Sequence, residues 1–244
     1  MKTILKSIIC TALIFSATQI QAQWGWGQNK VVGDGNVTTK TVSTASYDEI
    51  KLVGSMDVHL VRGTEGNISV TTDDNLHEYI KIEVKGNELV IKTEKNYYLK
   101  TKNGIHVTVP FQDLTEVSLT GSGDIDTKDV IKADRLEVNI TGSGDVKLKI
   151  DAITVESDVT GSGDITLEGK TENLKVTVTG SGDFKGFDLQ SDNTDARVNG
   201  SGDARIVANK SLNARVSGSG DITYKGNPEK SDTKTSGSGD ISSY

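Results

Sequence analysis

Hydrophobic and polar residues alternate with a period of two along the C-terminal half of the chain. The alternation is clearest before each copy of the sequence Gly-Ser-Gly-Asp, and an apolar residue follows each copy directly. Residues two apart lie on one face of a strand, so each copy predicts a half-buried strand, a corner and a second short strand. The predicted inward residues two positions before the corners are Leu119, Ile140, Val159, Val178, Val198, Val216 and Thr235.

The corner sequence recurs at intervals of 18 to 21 residues. Such a period is typical of stacked coils in which each repeat makes one turn. We therefore predict an all-β fold, a parallel β-helix or β-solenoid with rungs of about 20 residues over residues 111–244. The seven corners begin at Gly121, Gly142, Gly161, Gly180, Gly200, Gly218 and Gly237.

Residues 38–110 alternate in shorter runs, which predict an N-terminal β-rich region. Gly54-Ser55-Met56-Asp57 is a degenerate copy of the corner, so we expect early rungs here, interrupted by a hairpin insertion over roughly 63–110. Turn signals predict antiparallel hairpins, and only the segment near Asp74 to Tyr79 has helix character. The turn signals are Gly66-Asn67, Gly86-Asn87 and Asn103-Gly104.

The N-terminus has the order of charge, apolar run and small residue that is typical of a secretory signal peptide. Lys2 and Lys6 precede the apolar run, and Ala22 suits cleavage, so residues 1–22 predict export. Residues 23–37, rich in Gly and Asn, are expected to form a flexible lead. Cys10 is the only cysteine and leaves with the signal peptide, so the mature chain is expected to contain no disulfide.

The net charge of −7 argues against a nucleic-acid ligand. We expect a product in the periplasm, on the outer-membrane surface or outside the cell, with no membrane insertion of the mature chain. Ligand identity and oligomeric state stay open, although unpaired strand edges at the solenoid ends favour a homo-oligomer.

The aspartates of the seven corners are expected to form one column if the coils stack in register. One interpretation is calcium bound between turns, as in nonapeptide β-rolls, although those repeats have a different motif and period. The favoured interpretation is that each Asp accepts backbone N–H bonds at its own corner. The column would contain Asp124, Asp145, Asp164, Asp183, Asp203, Asp221 and Asp240.

No catalytic, cofactor-binding or metal-binding residue is predicted. His59, His77 and His106 share no metal-ligand spacing, and the first and last read as ordinary outward residues of strands. A glycan-cleaving β-helix enzyme is the catalytic alternative, but such sites need long loops, and the rungs after Gly121 vary little in length. We therefore predict no enzyme.

Recognition by a flat face is the remaining function class. Exposed charged rows are expected to form one stripe, which would bind a cell-surface, glycan or protein ligand or simply be solvated. The alternatives are a periplasmic structural scaffold and a calcium-stabilised repeat protein. The rows contain Glu116, Glu137 and Glu156 beside Arg197, Arg215 and Lys234.

The chain resembles the family called putative auto-transporter adhesin, head GIN domain. The resemblance rests on four segments and covers nearly the whole chain from about Tyr47. It implies an exported, β-helical domain of bacteria with two membranes, with adhesion as the proposed role and no established catalytic residues. The four segments are Tyr47 to Val58, Asp74-Asn75-Leu76, Leu89-Val90-Ile91, and Leu114 to Ile125.

Overall fold

The structure is a computed structural model and describes residues 29–244. The predicted signal peptide, residues 1–22, and the first residues of the predicted lead lie outside the described part. Strand makes up 71% of the structure and helix 3%, and stacked parallel coils form a β-solenoid of about 7 turns. The predicted fold class is therefore confirmed.

Nineteen strands and one short 3-10 helix make up the described chain. The strands before the regular coils are β1 (Asn29–Val32), β2 (Val37–Ser43), β3 (Glu49–Gly54), β4 (Asp57–Arg62), β5 (Asn67–Asp73), β6 (Ile80–Lys85), β7 (Glu88–Thr93), β8 (Tyr97–Lys100) and β9 (His106–Phe111), with the helix η1 at Asp74–Tyr79. The strands of the regular coils are β10 (Glu116–Gly121), β11 (Asp124–Gly142), β12 (Val146–Gly161), β13 (Ile165–Gly180), β14 (Phe184–Gly200), β15 (Ala204–Val207), β16 (Ser211–Gly218), β17 (Ile222–Lys225), β18 (Lys230–Gly237) and β19 (Ile241–Ser243).

The regular coils pair in parallel and nearly without slip. Corner glycines pair with corner glycines throughout, as Gly142 does with Gly161, and register shifts occur only at Asp126/Val130 and Thr166/Glu168 among these pairings. Equivalent side chains therefore form columns along the solenoid.

Each corner packs its backbone against the corner before it. The carbonyl oxygen of Gly121 accepts hydrogen bonds from the N–H groups of Ser143 and Gly144, at 2.9 and 3.2 Å. Gly142 has a φ of +138°, and a Cβ at that residue would stand 2.1 Å from the Gly121 oxygen. A side chain here would prevent the close approach that both hydrogen bonds need.

The first coil in sequence is not the first in space. Strands β3 and β4 pair in parallel with β10 and β11 on one side and with β7 and β9 on the other. Strands from within the predicted insertion thus form a coil of their own. Between β7 and β9 that coil has a long excursion in place of a glycine corner. In the neighbouring coil of β3 and β4, Met56 can therefore occupy the position of the second corner glycine, where its side chain is 1% exposed.

The N-terminal end of the stack is covered by antiparallel strands. Strand β6 pairs with β7, β5 with β9, and β2 with β5. Of the three predicted turns, only Gly86-Asn87 joins two strands that pair with each other, β6 and β7. The hairpin prediction was wrong at Gly66-Asn67 and Asn103-Gly104, because β4 and β9 pair with each other and β8 pairs with β1.

Two further expectations fall in this region. The helix character near Asp74 is confirmed by η1, which buries Leu76 completely. Residues 29–32 of the predicted flexible lead form β1 instead, held at its ends by backbone hydrogen bonds from Asn29 to Asn96 and from Gly33 to Lys100.

The core is one continuous column of inward apolar residues that thins toward the C-terminus. Its inward position four residues before the corner holds Val176, then Ala196 and Ala214, all fully buried. In the last coil, strand β18 is exposed along its whole length. A polar terminal coil of this kind suits contact with water.

Candidate functional site

The corner aspartates form the predicted column and are joined by a ladder of hydrogen bonds. The backbone N–H of each one after Asp124 donates to Oδ1 of the aspartate one coil earlier, as Asp203 does to Asp183 at 2.9 Å. The expectation that each carboxylate accepts N–H bonds at its own corner was therefore wrong, because Oδ1 accepts the backbone N–H of the next coil. The remaining steps of the ladder join Asp124, Asp145, Asp164, Asp183 in order, and Asp203, Asp221, Asp240 in order.

The ladder explains how stacked carboxylates can be neighbours. Each Oδ1 from Asp124 to Asp221 faces an N–H dipole, and Asp164 also pairs with Lys185 through Oδ2 at 2.5 Å. Hydrogen bonds to the ionised form stabilise it and offset repulsion between neighbours.

A groove crosses the coils at a different position of each turn. It has a volume of about 1140 Å³ and receives residues from seven successive coils. Its lining includes the apolar residues Ala133, Ala152 and Ile153, of which Ile153 is 47% exposed. The sides are charged, with Lys170 paired to Asp151 at 3.3 Å and Lys210 to Asp192 at 2.7 Å.

A second depression of about 480 Å³ adjoins the groove, because consecutive residues of each coil line the two. It contains two acceptors without a hydrogen-bond partner, Oδ1 of Asp195 and Oδ1 of Asn213. The other polar atoms of these side chains bind each other, Nδ2 of Asn213 donating to Oδ2 of Asp195 at 3.1 Å. Both acceptors are buried in the wall of the depression rather than open to it.

The predicted charged rows occupy two neighbouring columns. Glu116, Glu137 and Glu156 stand in register with one another, and their column continues back through Glu49 to Glu88. Arg197, Arg215 and Lys234 form a second column two residues further along each strand. The face is therefore acidic toward the N-terminal end and basic toward the C-terminal end.

Glu116 lies partly buried within the acidic column. Partial burial raises the pKa of its carboxyl group, and the nearby carboxylates of Glu137, Glu49 and Glu88 raise the pKa further, against a hydrogen bond from Asn139. Its neighbour Glu137 is paired with Arg135 at 2.9 Å.

Two of the histidines come together, which the sequence did not predict. His59 of β4 and His106 of β9 have ring nitrogens 3.3 Å apart on the outer surface. Alternation shows correctly that both point outward, but it does not show that β9 lies beside β4. His77 stands apart on η1 and contacts Thr38.

Residues 46–228 match the family described as putative auto-transporter adhesin, head GIN domain. The chain belongs to this family. The resemblance stated from the sequence is confirmed, and the head GIN domain covers both the irregular N-terminal coils and most of the regular ones.

Solved structures give the same picture of this head GIN domain chain. A putative adhesin from Bacteroides fragilis has a TM-score of 0.84 at 22% identity, covering 88% of this chain and 100% of its own, which shows the fold alone. A putative lipid binding protein from Parabacteroides distasonis has a TM-score of 0.74 at 29% identity, with the same coverage. A putative adhesin from the same species has a TM-score of 0.70 at 28% identity, again with 88% and 100% covered.

No protein of curated function matches the chain. Between residues 29 and 244 there is no helix with the length and apolarity needed to cross a bilayer.

Proposed function

We propose that the protein is an exported, non-catalytic binding module of the cell envelope, and that the ligand lies in the groove. The observation that carries the proposal is the groove itself, which combines an apolar floor at Ile153 with ion-paired sides. The adhesin names of the family and of two neighbours support binding over catalysis.

The chemistry of the groove favours an extended polypeptide segment lying along the solenoid axis. Such a segment brings side chains of both signs for the charged sides and apolar side chains for the floor. The strand spacing of about 4.8 Å repeats its contacts from coil to coil. Many weak contacts of this kind suit adhesion to a surface.

The first test is exposure on the cell that makes the protein. Antibody labelling or protease cleavage of intact cells is expected, because adhesion requires an accessible surface. Labelling only after lysis would remove adhesion and leave a periplasmic scaffold or binding role.

The second test locates the ligand with a matched pair of variants. Immobilised matrix proteins, a glycan array and lipid vesicles are the probes, the last because one structural neighbour is named as lipid binding. Ile153→Asp is expected to weaken binding to a matrix protein by about tenfold or more, which corresponds to at least 1.4 kcal/mol.

Val130→Asp is the control, since Val130 is similarly exposed, at 41%, but does not line the groove. Binding that both variants retain in full would overturn the groove as the site, and binding only to glycans or vesicles would overturn the polypeptide ligand.

A further inference from the structure

The outer surface where β9, β4 and β11 run side by side carries two histidines and two aspartates. In the parallel register His106 stands beside Asp57, and His59 stands beside Asp126. The rings of His59 and His106 are nearly coplanar, at 16°, with centroids 5.6 Å apart. Nε2 of His59 and Nδ1 of His106 are 3.3 Å apart, so these two atoms lie between the rings, edge to edge.

The hydrogen bonds of the outer nitrogens decide which ring nitrogens carry hydrogen. Nδ1 of His59 lies 2.8 Å from Oδ2 of Asp126, and Nε2 of His106 lies 3.2 Å from the Asn103 carbonyl oxygen. A carboxylate and a carbonyl only accept, so both outer nitrogens donate. In neutral rings the two inner nitrogens are then unprotonated, and their lone pairs face each other.

We propose that His59 and His106 bind one divalent transition-metal ion of the zinc type through these inner nitrogens. A tetrahedral ion with bonds of about 2.0–2.1 Å to two imidazoles separates their nitrogens by about 3.3–3.4 Å, which the observed 3.3 Å matches. Because the lone pairs point along the line that joins the two nitrogens, each ring has to turn by about 35° to direct its lone pair at an ion beside that line. Imidazole nitrogen is a preferred ligand of zinc, copper and nickel.

Asp57 supplies the third ligand. Its Oδ2 lies 3.5 Å from Nδ1 of His106, close to the separation of about 3.3–3.5 Å between an oxygen and a nitrogen on one zinc ion. In residues 29–244 no three His, Cys, Asp or Glu side chains are already gathered around one point as in a filled site. The site therefore has two preset nitrogens, a carboxylate that turns inward on binding, and water as the fourth ligand.

The groups around the pair match the usual surroundings of metal-bound histidine. Such a histidine donates its other N–H to a carboxylate or a backbone carbonyl, which fixes the ring and its tautomer. Asp126 and the Asn103 carbonyl provide one of each. The ion would join β9, from the coil of β7 and β9, to β4 of the first coil in sequence, so metal binding should stabilise the N-terminal end of the solenoid.

The test is titration of the protein, purified without a polyhistidine tag, with Zn²⁺ in a calorimeter, followed by melting scans. We expect one ion per chain and, at a hundredfold excess over Kd, a rise in melting temperature of about 5–10 °C. Calcium should give no such rise, because it requires oxygen ligands. Bound Co²⁺ should show the visible absorption of a tetrahedral site.

Two substitutions test the histidine ligands, and a third tests the carboxylate that orients His59. His59→Gln and His106→Gln should each abolish stoichiometric binding, and Asp126→Ala should weaken it by about 10–100-fold because it leaves the His59 ring unsupported. His77→Gln is the matched control and should bind like the parent. The affected histidines are about 40% exposed, so circular dichroism should show the folded state in all variants.

Absence of zinc binding by the parent protein would overturn the proposal. Stoichiometric binding that survives both His59→Gln and His106→Gln would overturn it as well, since it would place the ion elsewhere on the acidic surface. An equal loss of zinc binding in His77→Gln would also overturn the proposal.

Discussion

The regular coils and the irregular N-terminal coils are built from strands of the same kind, but their corners are closed in different ways. In the regular part, each glycine corner rests on the corner below, and an added Cβ at Gly163 would stand 2.0 Å from the Gly144 oxygen. In the N-terminal part, the coil of β7 and β9 is closed by a long excursion, and a buried Met56 faces it. The difference shows that the corner glycines serve stacking of corner on corner, because a side chain is accepted where no such corner lies beneath.

The two regions also differ in how their aspartates are used. From Asp124 to Asp221 every corner carboxylate accepts the N–H of the next coil. Asp57 occupies the equivalent place in the first coil, but the Asp124 N–H binds the Met56 carbonyl instead. The carboxylate of Asp57 is therefore left free of the ladder and faces His106.

The largest expected effect comes from breaking a corner. Gly163→Ala should cost more than about 3 kcal/mol or prevent folding, because the methyl group meets backbone atoms that cannot move without separating two coils. Gly86→Ala in the β6–β7 turn meets nothing within 4 Å and has a φ of +67°, so it should cost only about 1 kcal/mol. Urea unfolding followed by circular dichroism measures both; equal costs would show that close stacking is not the reason for the glycine.

An intermediate effect is expected from the ladder. Asp183→Ala leaves the Asp203 N–H without its acceptor and should cost about 1 kcal/mol, whereas Asp183→Asn keeps an acceptor oxygen and should cost less. Asp57→Ala, outside the ladder, is the control, and the scans are run first in chelator and then with calcium in place of the chelator. Adding calcium should not change the difference between the first two variants; a calcium-dependent difference would favour ion binding by the ladder.

The smallest effect, opposite in sign, is expected at the junction of the two regions. Because the pKa of Glu116 is raised in the folded state, its ionisation opposes folding above the pKa of the unfolded chain, about 4.3. Glu116→Gln should therefore stabilise the protein at pH 7, by less than about 1 kcal/mol because the group is partly exposed. The gain should vanish as pH falls below about 4.

Glu137→Gln is the matched variant for this measurement. It removes a carboxylate that is paired with Arg135, so it should give no gain at pH 7. Melting temperatures of both variants between pH 3 and pH 8 test the sign; a gain for Glu116→Gln that persists at pH 3 would mean that repulsion and burial of charge are not its cause.

The period, the corners, the inward columns and the aspartate column could be read from the sequence because each coil repeats the same contacts on its neighbour. The first coil could be recognised too, since Ile50 and Leu52 keep the offsets of later core residues. The strands that lie beside it could not: alternation says which face of β9 is buried, but not that β9 runs parallel to β4. The groove and the His59–His106 pair depend on that kind of lateral contact, and no local pattern encodes it.

The position of the first coil inside the stack has a consequence for the order of folding. As the chain emerges from its N-terminus, β3 and β4 appear early, yet Ile50 finds its neighbours only at Leu89 and Val117. Both edges of these strands stay open until the chain has been made well past them, and contacts so distant in sequence form slowly. The nascent protein therefore presents open strand edges until β10 and β11 close the coil.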